Sequence, residues 1–302
     1  MISILKFDDY PGNPIIPPDE SSGVKGRYNP AVIVVDGIFY LFYRQVMTSD
    51  KITGRIYLTK SRDGVNFTGE PELVIYPEYD YERYGCEDPR IVKVGDLFCL
   101  TYVGNSARYR TGNICLATSS DLIHWEKHGS ILQVGRDWDS GQVKAGVIVP
   151  ERIKGKYVMY FMGEERPWEG GKIGIAYSDD LINWEKEDEP VLLPRKECFD
   201  SKAIEPGTNP ILTEEGILMI YNGWGEGTFY KPFAVLFSKE DPSKVLERGD
   251  EPVLTPRKDW GKVFGCDGHI VAEGLIEHDG YWWLYYGAAD RAICLARCKV
   301  TR

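Results

Sequence analysis

The chain has 302 residues, a formal net charge of −10 and 13% aromatic residues, with 19 Tyr and 8 Trp. The acidic balance argues against nucleic acid or an anionic membrane as a partner, and no apolar run approaches the ~20 residues of a spanning helix. Seven Cys without paired spacing and four dispersed His suit reduced core thiols, not a disulfide framework or a zinc site.

The first six residues are too short for a signal peptide, so a cytoplasmic location is expected. No cofactor and no metal is expected. A homo-oligomer is compatible with the sequence. The abundant Tyr and Trp suit sheets and can also stack on sugar rings.

Taken in order, the chain repeats one unit five times. Residues 31–34 form a β-rich run, Val35-Asp36-Gly37 is a hairpin turn, and 38–43 is the returning run. A third run, 55–59, leads to the turn Ser61-Arg62-Asp63-Gly64-Val65-Asn66-Phe67, and 71–75 is a short outer strand. Unit two opens on Gly85-Cys86-Glu87-Asp88-Pro89-Arg90-Ile91-Val92 and turns at Val94-Gly95-Asp96. Its further runs are 97–102, 114–118 and 130–133, with a related turn at Ser119 to Trp125. Unit three turns at Lys154-Gly155-Lys156, repeats the later turn at Ser178 to Trp184 and closes at 190–193. Unit four turns at Glu215-Gly216, carries a degraded turn at Ser238 to Pro242 and closes at 252–255. Unit five turns at Asp279-Gly280 and stops without an outer strand.

Hairpin turns thus recur at intervals of about 60 residues, the mark of a repeat architecture. Each unit reads as four antiparallel strands. The chain is therefore expected to be all-β, a single five-bladed β-propeller domain. The blades span approximately 29–76, 86–134, 144–194, 203–256 and 266–302. Asn13-Pro14-Ile15-Ile16-Pro17 resembles Glu251-Pro252-Val253-Leu254-Thr255, so residues 13–17 are expected to complete the last blade and close the ring. A β-sandwich of about twenty strands is the alternative, and regular units do not suit it.

A propeller fixes where a site can form. The start of each first strand and the end of each second strand meet on one face of the central channel. Before first strands stand Asn29, Glu87-Asp88, Lys144, Glu205 and His269; after second strands stand Arg44, Asn105, Glu164, Asn222-Gly223-Trp224 and Asp290. Ionisable and amide groups collect there, and the opposite face carries ordinary turn residues. Asp88 is the candidate proton donor; the plain alternative is a salt bridge with Arg90. Arg44, Arg55, Asn29, Glu87, Asn105, Lys144, His269 and Asp290 are candidate sugar-binding groups. Trp168 and Trp224 are candidates for stacking on a sugar, whereas Trp282 and Trp283 sit mid-strand and read as core. One protonated acid opposite one ionised base is the machinery for cleaving a glycosidic bond.

These residues resemble glycoside hydrolase family 130, the mannoside phosphorylases and related β-mannosidases. The resemblance runs from about Asn29 to Val300. It is carried by Asn29-Pro30-Ala31, Phe42-Tyr43-Arg44, Glu87-Asp88-Pro89-Arg90-Ile91, Lys144 with Val149-Pro150-Glu151-Arg152-Ile153, Gly155-Lys156-Tyr157 and Tyr285-Tyr286-Gly287-Ala288-Ala289-Asp290. It implies a five-bladed propeller, a mannose-containing oligosaccharide as substrate and the general-acid role for Asp88. The departures concern phosphate. Where the phosphorylases carry an Arg at the third strand of blade two, this chain has Asn113; where they carry His-Arg, it reads Met162-Gly163-Glu164-Glu165; their Gly-rich turn opening blade four is Ala203-Ile204-Glu205-Pro206-Gly207. Carboxylates repel a dianion and can take a proton from water. The expectation is therefore an inverting exo-acting β-mannosidase acting on β-1,2-linked mannosides, with Glu164 and Glu205 activating water as in the hydrolytic branch. The alternatives are a β-mannoside phosphorylase releasing mannose 1-phosphate, for which the retained Lys144 speaks, a non-catalytic glycan-binding propeller, and an arabinan- or xylan-active propeller.

Overall fold

The computed structural model describes residues 2, 5–107, 112–166, 170–225, 230–255 and 269–300. Strands account for nearly all of its regular structure. The runs predicted from sequence become strands because β-branched and aromatic residues alternate on them and each is bounded by a turn the backbone can make. In the first hairpin Asp36 and Gly37 have φ of 51° and 73°. That left-handed pair twists the chain the way the flanking strands require.

Blade one holds β2 (Val24–Val35), β3 (Ile38–Met47), β4 (Arg55–Ser61) and β5 (Glu72–Ile75) in that spatial order. Blade two holds β6 (Cys86–Val94), β7 (Leu97–Asn105), β8 (Gly112–Ser119) and β9 (Glu126–Leu132). Blade three holds β10 (Gln142–Ile148), β11 (Tyr157–Glu164), β12 (Lys172–Ser178) and β13 (Trp184–Lys186). Blade four splits its first strand into β14 (Ala203–Pro206) and β15 (Ile211–Leu212), both on β16 (Ile217–Trp224), followed by β17 (Lys231–Phe237) and β18 (Val245–Arg248). Blade five is β19 (Ile270–His278), β20 (Tyr281–Ala288) and β21 (Ala292–Lys299), with β1 (Asp8–Asp9) as its fourth strand. The protein is a five-bladed β-propeller.

Two details differ from expectation. The outer strands of blades three and four form earlier than predicted, straight after the turn. Segments 190–193 and 252–255 pair without forming a ladder: Val191 N donates to Ile173 O at 2.8 Å, Leu192 bridges Ile173, and Val253 N donates to Pro232 O at 2.8 Å. The ring also closes over a longer stretch than 13–17. Asp8 and Asp9 pair with Arg297 and Ala296, and Ile16 bridges Ile293.

The core is distributed. Five apolar clusters are present among the described residues, and each joins two adjacent blades. Blades one and two, for example, share Ala31, Phe42, Leu58, Leu100 and Ala117. Burying such faces between blades is what holds a ring of small sheets together.

First strands share a further feature that positions the site. Tyr28 pairs with Arg44 but Ala31 with Phe42; Glu87 pairs with Val103 but Arg90 with Thr101; Lys144 pairs with Met162 but Val147 with Tyr160. Each offset leaves one extra residue, a β-bulge. In blade five the extra residue is Glu273, between Ala272 and Gly274. In blade four Gly207 N and Thr208 N both donate to Ile220 O, at 3.0 and 2.9 Å. Bulges bend a strand and re-aim a side chain. Asn29, Asp88 and Ala145 occupy them with φ of 53°, 50° and 52°, a region Asn and Asp tolerate better than most residues.

Candidate active site

At the bulges the channel opens into a cavity of about 230 Å³. It is lined by Tyr28, Asn29, Arg44, Thr53, Glu87, Asp88, Val103, Asn105, Gln142, Lys144, Glu205, Tyr230, His269, Val271 and Asp290. Every blade contributes. Nine of the eleven candidate residues are among them, which is the convergence expected where first strands begin and second strands end.

The electrostatics are organised in pairs. Arg44 Nη1 lies 3.1 Å from Glu87 Oε2 and 3.4 Å from Asp88 Oδ1, and its Nε donates to Thr53 O at 2.9 Å. Asn105 donates to Glu87 and to Thr53 Oγ1. Lys144 Nζ lies 2.7 Å from Glu205 Oε2. Burial works against the charge of both cations. It is outweighed at Arg44 by Glu87, Tyr28 and the aspartates, and at Lys144 by Glu205, Tyr230 and Asp88, so both are held above their ordinary values and stay charged. At the rim, His269 Nε2 stands 3.6 Å from Asp290 Oδ1. Desolvation is the largest single influence on the Asp290 carboxyl and pushes it up, but His269 and the charges of Arg44 and Lys144 together outweigh it and hold the carboxyl below its usual range. Asp88 therefore sits on a rigid bulge, mostly buried, with one oxygen facing a cation. A group so placed can pass a proton to a sugar oxygen in the cavity.

Two candidates stand elsewhere. Arg55 does not line the cavity; its guanidinium is 2.6 Å from Asp50 Oδ2 at the start of β4. It follows a loop rather than a bulge, so nothing re-aims it inward. Glu164 is the last residue of β11 and fully buried, and its carboxylate accepts from the side-chain amide of Gln142. Gln142 lines the cavity in its place. The expected pair of carboxylates is thus split, with Glu205 at the cavity and Glu164 behind it. Trp168 lies outside the described residues. Trp224 packs near Tyr230, with ring centroids 6.2 Å apart, and Trp283 is core.

Sequence reasoning missed Tyr28, Thr53, Gln142 and Tyr230. Gln142 was legible in principle: it stands two residues before Lys144 and so shares its face of β10. Behind the cavity wall sequence reasoning also missed Glu273. Among the described residues no group of three or more His, Cys, Asp or Glu could hold a metal ion, and no helix is long and apolar enough to cross a membrane.

The family model described as β-1,4-mannooligosaccharide phosphorylase matches residues 16–302. The chain belongs to glycoside hydrolase family 130. Among relatives, the 1,2-β-oligomannan phosphorylase of Thermoanaerobacter sp. (strain X514) is 34% identical over 98% of this chain and 97% of its own length. The β-1,2-mannobiose phosphorylase of Listeria innocua, solved with β-1,2-mannobiose, superposes with a TM-score of 0.84 at 25% identity, covering 97% and 96% of the two chains. A further solved relative, from work showing that this family of mannoside phosphorylases contains glycoside hydrolases that target β-1,2 mannosidic linkages in Candida mannan, has a TM-score of 0.84 at 28% identity over 97% and 94%. As a family 130 member, the chain is an enzyme of the glycoside-processing kind, and in Glu87-Asp88-Pro89-Arg90, one of the segments that carry the resemblance, the second bulge presents Glu87 and Asp88 to the cavity.

Proposed function

We propose that this protein cleaves terminal β-1,2-linked mannosides with Asp88 as the general acid, and that inorganic phosphate receives the mannosyl group. What carries the reading is the full-length likeness to a 1,2-β-oligomannan phosphorylase, joined to a cavity in which Lys144 and Arg44 stay charged. The reaction is a single displacement. A phosphate oxygen attacks the anomeric carbon while Asp88 supplies a proton to the departing oxygen, directly or through a sugar hydroxyl. Mannose 1-phosphate of inverted configuration and a shortened glycan result, and the proton carried by phosphate restores Asp88. The cavity is small and backed by buried side chains, so it suits the end of a chain rather than a glycan running through.

Hydrolysis is the second reading, and a specific observation favours it. Glu87, Asp88, Glu205 and Asp290 face the cavity against Arg44, Lys144 and His269. Both cations are already paired, so a phosphate dianion has to displace Glu205 from Lys144. Glu205 could instead hold water and take its proton, with Glu164 acting through Gln142. One assay separates the two. β-1,2-Mannobiose is incubated with and without inorganic phosphate and the products are resolved. Mannose 1-phosphate formed only with phosphate is expected; mannose release at the same rate in phosphate-free buffer overturns phosphorolysis in favour of hydrolysis.

A further inference from the structure

Behind the cavity lies a buried ion pair that no sugar can touch. Arg90 and Glu273 are both about 1% exposed at their side chains, and Arg90 Nη2 is 2.7 Å from Glu273 Oε1. Arg90 Nε donates to Gly207 O at 2.7 Å and Nη1 to Pro89 O at 3.1 Å. Asn29 Nδ2 donates to the same Glu273 oxygen at 3.0 Å. Glu273 Oε2 is buried with no partner among the described residues. The contacts cross the channel and join the bulges of four blades: Asn29 in blade one, Pro89 and Arg90 in blade two, Gly207 in blade four and Glu273 in blade five. Asp88 is two residues from Arg90 in the same bulge, and Glu205 is two residues from Gly207.

We propose that Glu273 is a positioning residue for the reaction: by pairing with Arg90 across the channel it fixes the bulge that aims Asp88 into the cavity. Holding a reacting group within a fraction of an ångström requires that its own support be fixed, and a support 1 Å too loose loses much of the rate. An isolated buried guanidinium is costly, so removing the Glu273 charge leaves Arg90 to reorganise and the Pro89–Arg90 backbone to follow. The groups acting on the Glu273 carboxyl are Arg90 and Asp88 from β6, Glu205 from β14 and the Asn29 amide from β2. Burial, with Asp88 and Glu205 adding to it and Arg90 opposing, pushes that carboxyl up to about 8. The pair therefore gains its full charge on the alkaline side of neutrality.

The inference rests on Asp88 as the acid, and it holds for either acceptor. The test is Glu273→Gln, which mimics the protonated acid in shape. Expected are a KM for β-1,2-mannobiose within about threefold of wild type and a kcat that falls a few-fold near pH 6 and more than about tenfold near pH 9. A folded variant with the kcat, KM and pH profile of wild type overturns the inference. So does a loss equal at every pH that merely tracks a lower melting temperature. If Glu273→Gln does not fold, Glu273→Asp keeps the charge but shortens the reach. It is expected to lower kcat with KM preserved, and unchanged kcat overturns the inference. Failure of both to fold makes the pair a folding requirement only and overturns it too. A wild-type protein inactive on mannosides, with or without phosphate, would instead sink the proposed function itself.

Discussion

Asp88 is placed by its neighbours more than by its own bonds. Its φ of 50° is set by the bulge, Pro89 removes a donor from the ladder at that point, and Arg44 stands 3.4 Å from Oδ1. Asp88→Asn keeps the size and the left-handed backbone, since Asn tolerates that region, but cannot release a proton. General-acid catalysis contributes about 10²–10⁴-fold, so kcat on β-1,2-mannobiose is expected to fall at least about a hundredfold while the Kd measured by calorimetry changes little. Unaltered turnover would point to another acid. Sugar binding without turnover in the wild type as well would point to a glycan-binding propeller. The residues at this site that were legible in the sequence are those at strand starts and ends, because the repeat fixes their height in the channel. Glu164 illustrates what the repeat does not fix. Its height is right, but its rotation on β11 turns it to Gln142. Glu273 was hidden for a different reason: it looks like a mid-strand residue of 270–276, and only the bulge between Ala272 and Gly274 shows that it faces the channel.

The turn after each third strand shows how one element accepts different residues. Ser61 Oγ accepts from Asp63 N and Gly64 N, and Asp63 Oδ1 accepts from Val65 N and Asn66 N. Blades two and three repeat the pattern from Ser119 and Ser178. The fourth position has φ of 70° at Gly64, 68° at Leu122 and 70° at Leu181. Gly64 is obligatory, since a Cβ there would stand 2.6 Å from the Phe39 ring and 2.8 Å from the Tyr285 hydroxyl. Leu122 accepts the same backbone because its side chain is 1% exposed in the core between blades one and two. A left-handed Leu costs about 1–2 kcal/mol, whereas truncating a buried Leu typically costs about 2–5 kcal/mol. Burial wins, so Leu122→Gly is expected to lower the stability measured by urea unfolding by roughly 1–3 kcal/mol, although it relieves strain. A stabilised variant would show that strain dominates. The same turns made the fold readable, because they recur with the hairpins and mark where third strands end. They hid where outer strands begin. Pairing resumes directly after the turn on short, mixed-polarity stretches such as Trp184–Lys186, and these carry less apolar signal than the Pro-led segments six or more residues on.

The whole ring depends on a closure that joins the two ends of the chain. A propeller keeps its sheet edges short and protected only if its last blade is completed, and blade five supplies three strands of its own. The N-terminal stretch supplies the rest, with one step made by a side chain. Asn13 Nδ2 donates to Leu295 O at 2.7 Å and Asn13 Oδ1 accepts from Leu295 N at 2.8 Å. One amide thus reaches both backbone groups of a residue in β21, whose O also accepts from Tyr10 N at 2.9 Å, between the Asp9 to Ala296 pairing and the Ile16 to Ile293 bridge. Leu295 itself is fully buried in the cluster that joins blades five and one. Asn13→Ala removes both bonds and strands the buried Leu295 N–H, while Leu295 O keeps Tyr10 N at 2.9 Å, at about 1–3 kcal/mol for a group so stranded. The expected result is an unfolding free energy in urea lower by about 1–3 kcal/mol, seen as a lower midpoint, and faster hydrogen exchange at the Leu295 amide. The kcat should stay near that of wild type, because β1 and the segment after it lie on the outer side of β21, two strands away from the channel-lining β19. A variant that unfolds at the wild-type midpoint would mean that closure rests on the β1 pairing and the apolar contacts of Ile15 and Ile16 alone. One that loses kcat without losing stability would mean that the outer edge of blade five is coupled to the cavity.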